Sequence, residues 1–273
     1  MGVSFAQDTQ PSDLQVNFKM DFGTEYVWRG FNVYGSTAAY HPTLNLFCPN
    51  SGVGFSIEGH KAVSDYEATE RWDYSLYYHG RAFVDQPYEM MYRLAYVYYN
   101  YPEQASQESA IINWSTTPPR PVKLGSLDLH ELHAVLQFPK LLGVEGLVPS
   151  YALVKLMPFF DGTIVGTNSP SGGTASGFAH IFGLDYSVPY VCPITGIDRK
   201  LNLHSELVYN DGVGPGGQNV DHDWSNALVG ASTDFDINNN ISFTPALFYQ
   251  LSFEESVNQD DQFWGTISLN CKF

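Results

Sequence analysis

Alternation between apolar and polar side chains runs through most of this chain. At its end, Phe263, Gly265, Ile267, Leu269, Cys271 and Phe273 share one face of an extended strand. Trp264, Thr266, Ser268, Asn270 and Lys272 share the other, because successive strand side chains point to opposite sides. The same two-residue period recurs over residues 14–22, 53–57, 72–78, 90–98, 201–209 and 241–253. Segments 40–48, 127–138, 151–160, 178–188 and 226–236 alternate less cleanly but also read as extended. Helical periodicity is scarce.

One apolar face and one polar face on strand after strand predicts an all-β chain: a closed antiparallel transmembrane β-barrel of about 12 strands, with its apolar face toward lipid. A strand of about 9–11 alternating residues suffices to span a bilayer. The domain reading is 1–12 as a signal-peptide remnant or disordered tail, on the small residues Ser4 and Ala6 before Gln7-Asp8. Residues 13–273 then form a single barrel domain. With both termini in the periplasm, tight links fall at 48–51 and 236–240 on that side. Long links at 100–123, 161–177 and 211–223 face outward. Three periplasmic links, near 81–88, 140–149 and 189–200, are longer than such turns usually are. The terminal aromatic Phe273 resembles the signal read by the barrel-insertion machinery, and is the expected assembly signal.

Composition sharpens this picture. Aromatics make up 15% of the 273 residues and charged residues only 15%, below the usual quarter. The mean hydropathy is nevertheless −0.18, which suits strands with one lipid face and one wet face. Aromatics gather near strand ends (Tyr26, Trp28, Phe31; Tyr98, Tyr99, Tyr101; Phe159, Phe160), where a membrane-interface girdle is expected. A soluble sandwich would instead need a second layer to cover so many apolar faces. The net charge of −16 supplies no basic stripe for phosphates and argues against nucleic acid as a partner. Expected partners are the lipid bilayer and lipopolysaccharide, the barrel-insertion machinery, small polar solutes or ions, and further copies of the chain. Three cysteines (Cys48, Cys192, Cys271) show neither a disulfide framework nor zinc-ligand spacing.

Residues 14–34, LQVNFKMDFGTEYVWRGFNVY, resemble the opening strand of TorF-type porins. In these an alternating strand leads into an aromatic turn of the form [SD]-x-Y-[VF]-[FW]-R-G, and Glu25-Tyr26-Val27-Trp28-Arg29-Gly30 occupies that place here. The glycine-punctuated segment 52–57 and the strand around Trp72-Asp73-Tyr74 are similar too. The resemblance covers about the first hundred residues and implies an outer-membrane channel with no assigned solute. The Pro-rich segment 100–123 departs from the pattern.

Candidate chemistry lies on the face opposite lipid. Lys19, Asp21, Glu25, Arg29, Glu58, Asp73, Arg93, Glu131, His133, Lys155, Asp185, His204 and Glu206 are the expected pore-lining residues, with His60 and His79 on the same face. Mixed charges in a lumen either tie the walls into a plug or line a narrow selective pore. Their surplus of acid predicts a bias toward cations, weakening as His133 and His204 gain charge between about pH 7 and pH 5. His130-Glu131-Leu132-His133 lacks metal-site geometry, because on a strand Glu131 and His133 share a face while His130 points away. No metal, cofactor or catalytic residue is expected. The functional reading is a porin-like channel for passive diffusion of small polar solutes or ions. A structural or adhesive barrel with a plugged lumen is one alternative, and a lipid-modifying enzyme at the membrane interface is another.

Overall fold

The computed structural model describes residues 14–64, 70–102, 109–113, 120–124, 128–158, 176–193, 196–213, 219–255 and 257–273. Twelve long strands build one sheet: β1 (Gln15–Gly23), β2 (Ala39–Cys48), β3 (Val53–Ala62), β4 (Arg71–Ala82), β5 (Met90–Asn100), β6 (Leu129–Gln137), β7 (Leu147–Pro158), β8 (Ser176–Val191), β9 (Asp198–Val213), β10 (Asn219–Thr233), β11 (Ile241–Ser252) and β12 (Gln262–Lys272). Each pairs antiparallel with its neighbours in sequence. The seam closes where β12 returns to β1, from Asn17 opposite Lys272 to Gly23 opposite Thr266. Closure satisfies the backbone of every wall strand within the wall, which a bilayer demands and an open sheet edge cannot meet. The fold is thus a closed twelve-stranded antiparallel barrel, as the alternation predicts.

The burial pattern is inside-out relative to a soluble protein. Leu76, Leu94, Leu132, Val229, Leu247 and Phe263 are exposed on the outer face, whereas Glu131, Ser225, Gln250 and Arg71 are buried within. A second sheet layer is absent among the described residues, so the sandwich reading fails. We call the end carrying both termini the lower end.

Several expectations need adjustment. The lower links are turns spanning 83–89 and 138–146, and β8 ends at Val191 where β9 begins at Asp198, with no extra strand among the described residues. The 211–223 link is shorter than expected, because β9 runs to Val213 and β10 starts at Asn219. Ser109–Asn113 and Arg120–Leu124 form a short separate ladder within 100–123. The expected tail (1–12), most of the 161–177 link, and Phe159 with Phe160 lie outside the described residues. The aromatic girdle is corrected in part. Trp28 and Tyr101 pack against a buried core inside the barrel that includes Tyr99, and Tyr26 packs against Tyr34 and Ala39. These rings are lumen filling, drawn inward by the path of the first upper loop.

The 83–89 turn holds Phe83 and Asp85 at φ of 53° and 66°, each costing roughly 1–2 kcal/mol for a residue with a Cβ. A clasp on Glu89 offsets that strain. Its carboxylate takes hydrogen bonds from Lys140 at 2.6 Å, from Arg81, and from the Asp85 amide at 3.3 Å. The Lys140 ammonium and then the Arg81 guanidinium hold the Glu89 carboxyl at about 2, below its ordinary 4.5. A group depressed on folding contributes stability that is complete above its unfolded value and disappears as pH falls through the folded one. The wild-type protein should therefore lose urea resistance in detergent as pH drops from about 4.5 toward 2. Glu89→Gln should flatten that limb; an unchanged pH profile in the variant would exclude the clasp as its source.

Candidate functional site

The upper loop between β1 and β2, residues 24–38, turns into the barrel instead of rising from it. Within it Val27–Trp28 pairs with Phe31–Asn32, and Arg29 and Gly30 turn the corner at φ of 50° and 94°. Positive φ at both central residues marks the type I′ turn that two-residue hairpins favour. Gly30 is required twice over: its φ suits glycine, and a Cβ there would stand 2.7 Å from Asn226 Oδ1 and 2.8 Å from Val257. On that side Gln250 Nε2 donates to the Gly30 carbonyl at 2.9 Å, and Asn32 donates to Gln262 at 2.7 Å. The hairpin is thereby fixed to β11 and β12.

Across the lumen, Arg29 reaches β6. Its two terminal nitrogens donate to Glu131 Oε1 and Oε2 at 2.5 and 2.6 Å, the bidentate fork that guanidinium and carboxylate form best. Glu131 is 0% exposed and also accepts from the Tyr99 hydroxyl at 2.5 Å. His133 Nε2 lies 2.6 Å from the same oxygen. A buried carboxylate needs this many partners to stay charged away from water. Arg29 also lies 4.8 Å from the Trp28 ring centroid, and Trp28 meets Tyr99 edge-on at 5.6 Å.

A second buried array adjoins the first. Arg71 forks onto Asp73 at 2.7 and 2.9 Å and donates to the Tyr26 hydroxyl at 2.7 Å. Its guanidinium sits 4.4 Å from Trp28 and 4.7 Å from Tyr99, which joins the two arrays. Asp73 continues to His60 Nε2 at 2.9 Å, and His60 Nδ1 to His41 Nδ1 at 2.8 Å. Tyr26 stacks on His60, and the Tyr34 hydroxyl donates to the His60 carbonyl at 3.0 Å. Loop 24–38 therefore contacts the wall from β2 round to β6, and again from β10 to β12, and it narrows the lumen across its width.

Of the expected pore-lining residues, the structure gathers Arg29, Asp73, Glu131 and His133 at this constriction. Arg29 belongs to the inserted loop and not to the wall. Glu25 sits in the same loop and accepts from Asn32 at 3.1 Å. Lys19, Asp21, Glu58, Arg93, Asp185, His204 and Glu206 face the lumen elsewhere. Lys19 pairs with Asp21 at 2.5 Å. His204 bridges Asp185 and Glu206 at 2.6 and 3.0 Å, and Arg93 lies 4.6 Å from the Tyr77 ring.

Lys155 is a correction. Register pairs it with Leu132 and Phe178 on the outer face, while its neighbour Val154 pairs with His133 inside. The inward positions of β7 turned apolar (Val154, Leu156) because they pack beneath Trp28 and Tyr99. Polarity alone therefore misassigned the faces of this strand. His130 points outward to Tyr96, and Glu131 and His133 share the lumen face, as read from the alternation.

Sequence reasoning passed over Arg71, His41, Tyr26, Trp28 and Gln250 as site residues. Arg71 stands two positions before Asp73, which is the same-face spacing and was available as a signal.

No protein-family model matches this chain, and no curated protein does. Solved structures do. The NanC porin aligns over 95% of this chain and 100% of its own, at 11% identity and a TM-score of 0.50. The fold is that of a bacterial outer-membrane β-barrel. The translocator domain of autotransporter NalP from Neisseria meningitidis covers 97% of this chain and 90% of its own, at 13% identity and a TM-score of 0.44. The β domain of the Bordetella autotransporter BrkA covers 96% and 99%, at 9% identity and 0.42. The TorF-type likeness of about the first hundred residues gains no support from these comparisons.

Glu131→Gln would leave Arg29 buried without its counter-charge, a loss of about 3–5 kcal/mol for a broken buried pair. Amide hydrogen exchange across residues 24–38 should then accelerate by two orders of magnitude or more, with the wall strands unchanged. Exchange as slow as in wild type would show that the loop is held by its apolar contacts instead.

Proposed function

We propose that this protein is a narrow outer-membrane channel for passive diffusion of small polar solutes or ions, restricted by its own first loop. The observation that carries the reading is an inserted constriction above a polar lower lumen. Below the loop, Asn17, Lys19, Thr43, Asn45 and Glu58 form a polar lining, with Asn17 opposite Asn45 and Thr43 between Lys19 and Glu58. A polar lining of this kind favours water over apolar side chains in the lower lumen. The likeness to a porin supports the fold. The outward aliphatic band fits an outer-membrane location.

A second reading is favoured by the loop itself. If the packing of Arg29, Trp28 and Tyr26 closes the wild-type lumen, the barrel is structural or adhesive. Single-channel recording in planar bilayers separates the two. A channel predicts small, steady conductance in wild type, cation preference from the surplus of inward acids, and larger steps in Glu131→Gln. Silence in both proteins would favour the plugged barrel. Hydrolysis of micellar phospholipid by wild type would instead point to an enzyme.

The role proposed for Phe273 is in assembly. Its side chain is 79% exposed, and its amide donates to the Val16 carbonyl at 2.9 Å, a backbone bond that any residue can make. Phe273→Ser should reduce insertion in cells several-fold and leave refolding into detergent unchanged, as read by the shift between heated and unheated gel bands. Equal insertion of both proteins would remove the role.

A further inference from the structure

Lys155 is a charge on the lipid face that neither the lumen nor the barrel wall uses. Leu153 and Met157 precede and follow it on the same face, and Leu132 and Phe178 stand opposite it across the two ladders. Its ammonium lies 4.3 Å from the Phe178 ring centroid, and no carboxylate pairs with it among the described residues. A charge facing hydrocarbon is costly at mid-depth and tolerable near the headgroups, and it marks a functional site with a partner to be named. Lys155 stands roughly 20 Å above the lower end of β7, at about 3.3 Å per residue and a tilt near 40°. That places it in the upper part of an outward apolar band about 25 Å tall, from which a long side chain can extend its charge toward the headgroups.

Beneath it runs an outer groove of about 550 Å³ whose lining includes Tyr78, Leu94, Ala134, Leu153 and Lys155. One register row passes from Val53 at the lower end of β3 through Tyr78, Leu94 and Ala134 to Leu153, so the groove climbs as it crosses the strands. Ala134 is the small residue between two leucines, and it makes the floor. At the upper end, His130 and His180 face outward on the strands either side of β7. His130 meets the Tyr96 hydroxyl, and His180 Nδ1 lies 2.8 Å from the Tyr151 hydroxyl. An apolar slot that ends at a cation within a polar belt has the shape of an acyl chain with an anionic head.

We propose that this groove binds the lipid A part of lipopolysaccharide. One acyl chain lies over Ala134 and one sugar phosphate meets Lys155. In a chain of net charge −16, Lys155 is the feature of this groove that attracts such an anion. The choice of lipid A over other anionic lipids rests on the outer-membrane reading above, which turns the upper end toward the lipopolysaccharide leaflet.

Native mass spectrometry of the full-length protein in detergent, titrated with bis-phosphorylated lipid A, tests this. Dephosphorylated lipid A and phosphatidylglycerol serve as comparison lipids. Wild type should prefer the phosphorylated form about tenfold, Lys155→Met should lose that preference, and Lys155→Arg should restore it. Ala134→Leu should weaken binding by filling the groove without touching the charge. Heat-shifted gel mobility checks that each variant is folded, and the comparison of the three lipids on wild type stands even where a variant is not. Equal binding by wild type and Lys155→Met, or equal binding of phosphatidylglycerol and lipid A, overturns the proposal. Absent lipid A binding by a protein that fractionates with the outer membrane sinks the groove alone. A protein that binds lipid A but fractionates elsewhere sinks the location and spares the groove.

Discussion

The forked pair between Arg29 and Glu131 is the interaction on which the interior depends. It sets a loop guanidinium against a wall carboxylate from which water is excluded. Every neighbouring group then has to serve the pair or be served by it. Tyr99 and His133 complete the carboxylate's hydrogen bonds, Trp28 covers the guanidinium, and Arg71 with Asp73 extends the charge pattern to β4. The conformational cost of the turn is borne at Arg29 itself, a residue with a Cβ at positive φ. The barrel wall closes through its own backbone ladders, and these contacts hold the loop against its inner surface.

The lumen therefore has two regimes. The upper part is dry and packed, with aromatic rings and paired charges, and even its wall positions on β7 are apolar. The lower part is lined by polar groups such as Asn17, Thr43 and Glu58. A uniform sequence rule of polar inside and apolar outside describes the lower regime and fails in the upper one. There the inserted loop supplies a second hydrophobic core within the barrel.

That division explains what was legible in the sequence. Strand identity, closure and the inward placement of Asp21, Asp73, Glu131 and Glu206 followed from a period of two, which geometry enforces on any strand. The path of residues 24–38 did not. Aromatic residues at a strand end fit an interface girdle as well as a plug, and the bonds that choose between them join positions more than a hundred residues apart. Lys155 was misplaced for a related reason: its strand inverts polarity beneath Trp28, a neighbour that only the folded chain brings there. Arg71 was missed although its spacing from Asp73 was visible, because it opens a strand whose pattern becomes clear only from Trp72 onward.

A thin cylinder of hydrogen-bonded strands is stiff along its axis and soft in cross-section, free to flatten from circle to ellipse as the surrounding bilayer pushes on it. The hairpin tip is bonded to β11 on one side through the Gly30 carbonyl and to β6 on the other through Arg29. It thereby acts as a cross-brace between facing walls. Lateral pressure on this barrel is then borne in part by one buried ion pair, and the roundness of the barrel and the position of the loop become a single mechanical variable.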